Sequence, residues 1–334
     1  MRVYHGPIEI AGQTFNSAKA LRETGHEATA GVFEPHDFGY PYDELIYPNG
    51  KPSRWRGRIQ RAKYLAKALR RFDVFNYWFA RTILGGYDVR IASRLGNQIV
   101  MTFCGSEIRS VREAGKKSPF VDPNNWPKSS VDSEYLEWLN QFVDVAVFQY
   151  YELEPYVSRH FDRVAYVPRA IDCERITPHD TVSSGTIRIG HAPSDREFKG
   201  TKHIQNAVNS LQEDGHDVEL TVVEGGHIEV IETLRKVDIV VDQLRVGTFG
   251  VLALEAMATE TPVVCYLRDD LRDKYPDSLP IVNATPDNIR GVLQELIMSQ
   301  NRRNNLGKAG REYVLDHHSL SHVGNKLVRV YGSI

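Results

Sequence analysis

Residues 241–267, VDQLRVGTFGVLALEAMATETPVVCYL, place Gly247, Thr248, Phe249 and Gly250 between a buried strand and the start of a helix, and follow them within that helix with a carboxylate, Glu255. A turn with two glycines at a helix start leaves backbone N–H groups free to face an anion, and the helix dipole adds partial positive charge there. Glu255 lies about one and a half turns into that helix, where a carboxylate could hold the sugar of a nucleotide. Two lone glycines also suit any tight strand-to-helix turn. A second element favours the chemical reading. HAPSDREFKGTKHI follows the first strand of the second half and opens its first helix, bringing Arg196 and Lys199 onto one turn. In a parallel sheet both loops lie at the same edge, so the two cations and the later helix start form a candidate diphosphate clamp of charge-assisted hydrogen bonds.

The elements that must position these residues are legible as apolar runs alternating with helical patterns, the mark of parallel α/β architecture. RVYHG, HEATAGVF, FDVFNYWF, QIVMTFCG, VDVAVFQ and RVAYVPRAI predict strands in the first half, with a helix over FNSAKALRETG. TIRIGHAPS, VELTVVEG, VDIVVDQ and TPVVCYL predict strands in the second. The helices between these are GTKHIQNAVNSLQEDG, GHIEVIETLRK and GVLALEAMATE. The expected fold is α/β, two Rossmann-like doubly wound domains facing a central cleft, with strand carboxyl ends turned to it. The domains are expected at 1–172 and 186–317, joined by a polar linker over 173–185. The tail reads as two helical stretches broken near Asp316–Ser319.

Length and composition agree. The 334 residues suit two domains, and 41% hydrophobic with 25% charged residues is ordinary for a globular protein. A net charge of −2 gives no electrostatic reason to expect a nucleic-acid partner. Cys104, Cys173 and Cys265 stand far apart with no CxxC, which argues against a disulfide framework or a zinc site and fits a reducing compartment. No secretory signal and no bilayer-length apolar run is visible, so the expected location is cytoplasmic.

One charge run stands out. Residues 51–71, KPSRWRGRIQRAKYLAKALRR, hold nine Lys or Arg and no acid, with Trp55 and Tyr64 among them. The run reads either as a solvated helix face or as a basic amphipathic surface. In the second case it would contact an anionic membrane peripherally, at the inner face.

HAPSDREFKGT together with GTFGVLALEAMATETPVV resembles the nucleotide-sugar half of family-4 (group 1) retaining glycosyltransferases, which have the glycosyltransferase B fold. IAGQTFNSAKALRETGHEA resembles the family's glycine loop and first helix, IVMTFCGSEIR its TFHGSD strand end, and YVPRAID its exit from the first domain. The resemblance implies transfer of a sugar from a nucleotide diphosphate sugar with retained configuration. It implies no cofactor or bound metal, and a final helix, 318–334, packing back on the first domain. By motif match, Arg196 and Lys199 would take the diphosphate, supported by the backbone of Phe249, Gly250, Val251 and Leu252, and Glu255 the ribose. Glu224 would approach the base, and Gly12 would let its loop approach the donor phosphates. Cys104, Gly105 and Glu107 would fall on the acceptor side.

Three departures accompany the match. The family pairs two glutamates with seven residues between, and the first falls at Gly247; Asp242 is then the nearest carboxylate for the donor sugar. The family's TFH histidine is Cys104, and its arginine commonly stands earlier than Arg196, near Ser194. The expected activity is hexosyl transfer from a UDP-linked donor to a glycan or lipid-linked acceptor. Two alternatives stand beside it: a non-catalytic glycosyltransferase-like subunit supporting an active partner, and a sugar-nucleotide epimerase on the same fold, which EAMA and KG fit less well.

Overall fold

The computed structural model describes residues 1–122, 131–178 and 185–334. The chain forms two compact units. One comprises Met1–Ser110, Lys128–Ala170 and Leu320–Ile334; the other comprises Val111–Pro127 and Ile171–Ser319.

The first unit is built on seven strands: β1 (Arg2–Gly6), β2 (Glu27–Val32), β3 (Glu44–Leu45), β4 (Val74–Trp78), β5 (Gln98–Phe103), β6 (Val145–Phe148) and β7 (Val164–Tyr166). They form one sheet in the order β3-β2-β1-β4-β5-β6-β7, and every pairing is parallel. The near-continuous apolar runs follow from burial on both faces. Side-chain alternation sends Tyr4, Phe75, Tyr77, Met101 and Phe148 to one face. Val3, Val74, Val100 and Val147 go to the other, with Leu21, Val323, Leu327 and Tyr331. The helix Leu320–Gly332 lies so close to the helix Gln13–Glu23 that a Cβ on Gly324 would stand 2.4 Å from the Ala20 carbonyl oxygen. A buried polar knot fastens its end. Thr102 Oγ1 donates to Asn76 Oδ1 at 2.8 Å, Asn76 Nδ2 donates to Tyr331 OH at 2.9 Å, and Trp78 Nε1 donates to His5 Nδ1 at 3.2 Å. Burial lowers the His5 pKa to about 3, which keeps the imidazole neutral and able to accept.

The second unit holds β8 (Ile187–His191), β9 (Val218–Val222), β10 (Ile239–Val241), β11 (Val263–Cys265) and β12 (Val282–Asn283), ordered β12-β11-β10-β8-β9 and all parallel. The order reverses between β8 and β10, and the carboxyl ends of strands at such a switch point are where ligands bind in open α/β sheets. Ile189, Ile239, Val241 and Val264 pack beneath with Leu211 and Leu293.

The division differs from the expected one at residues 111–122, which belong to the second unit although the chain has just left β5. Ala114 and Val121 cluster with Val246. Ser118 Oγ donates to the Arg245 carbonyl, and Arg245 Nε donates to the Phe120 carbonyl, both at 2.6 Å. Of the expected linker, residues 179–184 lie outside the described residues. Its start is held on the second unit, where Arg311 donates to the Ile176 carbonyl at 3.1 Å. The tail breaks where expected, one helix ending at His318 and the next beginning at Leu320.

Candidate functional site

At the switch point of the second sheet the loops after β8 and β10 meet. The loop after β8 makes one helical turn, Arg196–Lys199, capped by Asp195, whose carboxylate accepts the Phe198 N–H. Lys199 Nζ reaches across and donates to Asp242 Oδ1 at 3.0 Å. Asp242 is fully buried, and its other oxygen accepts the Gly250 N–H. A side chain on Gly250 would run into this contact, its Cβ 3.1 Å from Asp242 Oδ2 and 3.2 Å from Lys199 Nζ. Asp242, read from the sequence as the carboxylate nearest the donor sugar, therefore has its oxygens engaged in orienting the lysine and the loop.

The helix Val251–Ala258 begins at Gly250 with no side-chain cap, so its first N–H groups have no partner within the helix. Thr248 is buried, and its Oγ1 has no hydrogen-bond partner among the described residues. A buried hydroxyl without a partner is costly and suits a ligand oxygen. Phe249 is a core anchor, packed on Tyr275 with ring centroids 4.9 Å apart. Gly247 takes φ +83°, and a Cβ there would stand 2.2 Å from Arg268 Cγ. Both backbone and space thus disfavour a glutamate at 247, which would be strained and would have to displace the Arg268 side chain. Arg268 is itself paired with Asp270 through Nε at 2.8 Å and a terminal nitrogen at 2.9 Å.

The remaining second-unit candidates pair with one another or with residues that sequence reading missed. Arg196 donates to Glu224 Oε1 from Nε at 3.0 Å, with both side chains largely exposed. Glu255 is buried and bound to His227 Nε2 at 2.6 Å. Arg245 ties the Arg196–Lys199 turn down by donating to the Glu197 carbonyl at 2.9 Å. His191 lies beneath, its Nδ1 against the Val241 carbonyl at 2.8 Å and its Nε2 against Thr201 Oγ1 at 2.9 Å. Burial lowers its pKa to about 4, so it stays neutral, with Nδ1–H donating and Nε2 accepting. His191 and Arg245 carried no sequence signal, because each acts through contacts between separate loops.

In the first unit the expected roles shift. Gly12 caps the helix Gln13–Glu23 at φ +78°, but the N–H groups of Thr14 and Phe15 are taken by Glu9, at 3.2 and 3.0 Å. That helix start is already closed by an internal carboxyl group, so the phosphate approach expected at Gly12 has a competitor. Glu107 is used similarly: its carboxylate accepts the N–H groups of Cys104 and Gly105, the latter at 2.8 Å. It closes its own loop, a role different from the acceptor contact expected of it. The Cys104 thiol is buried against Gln149 Oε1 at 3.7 Å, and desolvation pushes its pKa well up. It stays a protonated thiol. Arg169, also missed, lies buried with its guanidinium 4.2 Å from the Tyr150 ring centroid.

The basic run forms the helix Arg54–Arg71, which buries Gly57, Leu65 and Ala68. Trp55 is 61% exposed and Ile59, one turn on, 46%. Tyr64 is turned inward: its hydroxyl donates to Glu44 Oε2 at 3.0 Å and its ring meets Tyr4. The exposed apolar pair is therefore Trp55 and Ile59, and Tyr64 is not part of it.

No protein-family model matches the sequence, and no curated protein matches it. Solved structures match over the whole chain. Sucrose-phosphate synthase (tll1590) from Thermosynechococcus elongatus superposes with a TM-score of 0.67 at 14% identity, covering 100% of this chain and 99% of that one. Anabaena Alr3699/HepE, in complex with UDP and glucose, gives 0.67 at 11% identity with 100% of both chains covered. The catalytic domain of Starch Synthase IV from Arabidopsis thaliana, bound to ADP and acarbose, gives 0.66 at 11%, covering 100% and 99%. At these identities the likeness shows the fold: two Rossmann-like parallel-sheet domains of the glycosyltransferase B type.

The two loop-closing carboxylates generate a pH dependence. Desolvation raises Glu9 and Glu107 from 4.5 to about 7 each. Between those values the folded unit holds protons that the unfolded chain has released. Their stabilising contribution is therefore full below pH 4.5 and is lost as pH rises through 7. We expect Glu9→Gln and Glu107→Gln each to flatten the decline of the thermal midpoint between about pH 4.5 and about pH 7. A decline as steep as wild type in both variants would contradict this assignment.

Proposed function

We propose that the protein is a retaining glycosyltransferase of the family-4 kind. It would move a hexose-type sugar from a UDP-linked donor to a glycan or lipid-linked acceptor, without a bound metal. The observation that carries this reading is the second-unit switch point, where Lys199, an uncapped helix start and the unpartnered Thr248 hydroxyl lie together. Lys199 and the N–H groups of Val251 and Leu252 take the diphosphate, and Glu255 takes the ribose. Arg196 adds a second cation on exchanging Glu224 for phosphate, and Glu224 then borders the base. In transfer, the bond from the anomeric carbon to the diphosphate oxygen breaks. The acceptor hydroxyl oxygen bonds that carbon on the same face, and its proton passes to the departing diphosphate. The protein's part is to stabilise the charge gathering on that leaving group with fixed donors. The first unit would take the acceptor, bordered by the loops Glu9–Gly12 and Cys104–Glu107. The UDP and UDP-glucose bound by HepE support the choice of donor.

A second reading, a non-catalytic subunit that binds sugar nucleotide or glycan and supports an active partner, is favoured by one observation: position 247 is a glycine at φ +83°, where a side chain would be strained, so no carboxylate stands there for a donor sugar. Incubation with a panel of UDP-, ADP- and GDP-sugars, with and without chelator, separates the two. The enzyme reading expects release of nucleoside diphosphate, undiminished by chelator. Binding without release would leave the non-catalytic reading.

Lys199→Ala leaves Asp242 buried without its cation, which should cost about 3–5 kcal/mol of stability. Adding Asp242→Asn should restore most of that stability while UDP affinity stays about tenfold or more below wild type. Calorimetry showing wild-type affinity in the double variant would remove Lys199 from the site.

The helix Arg54–Arg71 is proposed as a peripheral contact with anionic membrane at the inner face of a cytoplasmic compartment. No helix among the described residues is long and apolar enough to cross a membrane. Trp55 and Ile59 would enter the interface, with exposed Arg54, Arg56, Arg58, Lys63, Lys67 and Arg70 around them. Each cation near an anionic surface contributes about 1 kcal/mol. The protein should co-sediment with anionic vesicles at low salt and be released as salt rises. Reversing Arg56, Arg58, Lys63 and Lys67 should abolish binding, and no co-sedimentation of wild type would leave the helix an ordinary solvated face.

A further inference from the structure

Glu255 is buried within the helix Val251–Ala258, and its partner comes from a different loop. The chain leaving β9 runs through Glu224, Gly225 and Gly226 and enters the next helix, His227–Leu234, at His227. That short loop grips the site at two points. Glu224 holds Arg196, while His227 Nε2 lies 2.6 Å from Glu255 Oε1. A carboxylate can only accept, so Nε2 carries the hydrogen and donates it. The His227 side chain is 26% exposed and that of Glu255 8%. The imidazole thus stands at the edge of the site and the carboxylate behind it, with one oxygen committed. The plane of a glutamate carboxylate turns easily about its last torsion. A short bond to one oxygen fixes that plane and sets the direction in which the other oxygen accepts.

We propose that His227 is a positioning residue for the nucleoside: by donating to Glu255 Oε1 it aims the other carboxylate oxygen at the ribose hydroxyls. The inference rests on the reading of the second unit as a nucleotide site and deepens it. Discrimination of ribose from deoxyribose then belongs to the His227–Glu255 pair and not to Glu255 alone.

The test is calorimetric titration of UDP and 2′-deoxy-UDP into wild type, His227→Ala and His227→Gln. Wild type should prefer UDP by about tenfold. His227→Ala should lose most of that preference through weaker UDP binding, with 2′-deoxy-UDP binding unchanged. That unchanged binding also shows the variant to be folded. His227→Gln, which keeps an N–H donor on a planar group, should recover part of the preference. If His227→Ala keeps the full preference, or weakens both nucleotides equally, the positioning role is overturned and the nucleotide site stands. If wild type binds neither nucleotide, the nucleotide site is overturned and the role of His227 with it.

Discussion

The second unit is organised by one buried contact, in which Lys199 and the Gly250 N–H converge on the two oxygens of Asp242. A carboxylate removed from water is tolerated only when it is paired and hydrogen-bonded, and here one partner, Lys199, comes from a loop 43 residues away while the other, Gly250, ends Asp242's own loop. Asp242 therefore does more than neutralise a charge. It draws the turn after β8 against the start of the helix after β10, and it orients the N-terminus of that helix. Neighbouring contacts remove the remaining freedom. Gln243 Oε1 accepts the N–H groups of Arg245 and Val246 at 3.0 and 2.8 Å. Arg245 in turn clasps the Glu197 and Phe120 carbonyls. The result is a set of donors fixed before a ligand arrives, the arrangement in which electrostatic stabilisation needs least reorganisation.

The first unit answers the same problem differently. Its strand-end loops also expose backbone N–H groups, at the helix start after β1 and in the turn after β5. There the protein supplies its own carboxyl oxygens, Glu9 for Thr14 and Phe15, and Glu107 for Cys104 and Gly105. Two sheets of similar parallel construction thus differ at their functional edges. The helix start after β10 carries no side-chain cap and has a cation beside it, whereas the one after β1 is closed by a carboxylate. This difference supports the proposal that an anionic donor binds the second unit. The buried His5, Asn76 and Tyr331 cluster fastens the last helix to the same sheet, so the end of the chain is part of the first unit's core.

Much of this was legible in the residues alone. Apolar runs bounded by turn residues mark strands, and the strands and helices read from them are found, because local burial on both faces of a parallel sheet imposes that pattern on each segment independently. The two-residue strands β3 and β12 escaped, being too short to carry a period. Lys199, Gly250 and Glu255 could be singled out because a cation, a glycine and a carboxylate around helix starts are chemistry written in local spacing.

The partners of those residues were decided only by the tertiary structure. Asp242 was visible as a carboxylate, but not as one whose oxygens are both occupied, since its partners lie 43 and 8 residues away. His227 meets Glu255 from 28 residues away, and Arg268 fills the space beside Gly247 from another loop. Residues 111–122 follow a first-unit strand in sequence and pack with the second unit. Tyr64 sits in a basic run and points into a core. In each case the sequence determined what a residue can donate, accept or bury. Chain crossover determined what it meets, because the loops of a parallel sheet bring together residues whose spacing along the chain carries no record of the contact.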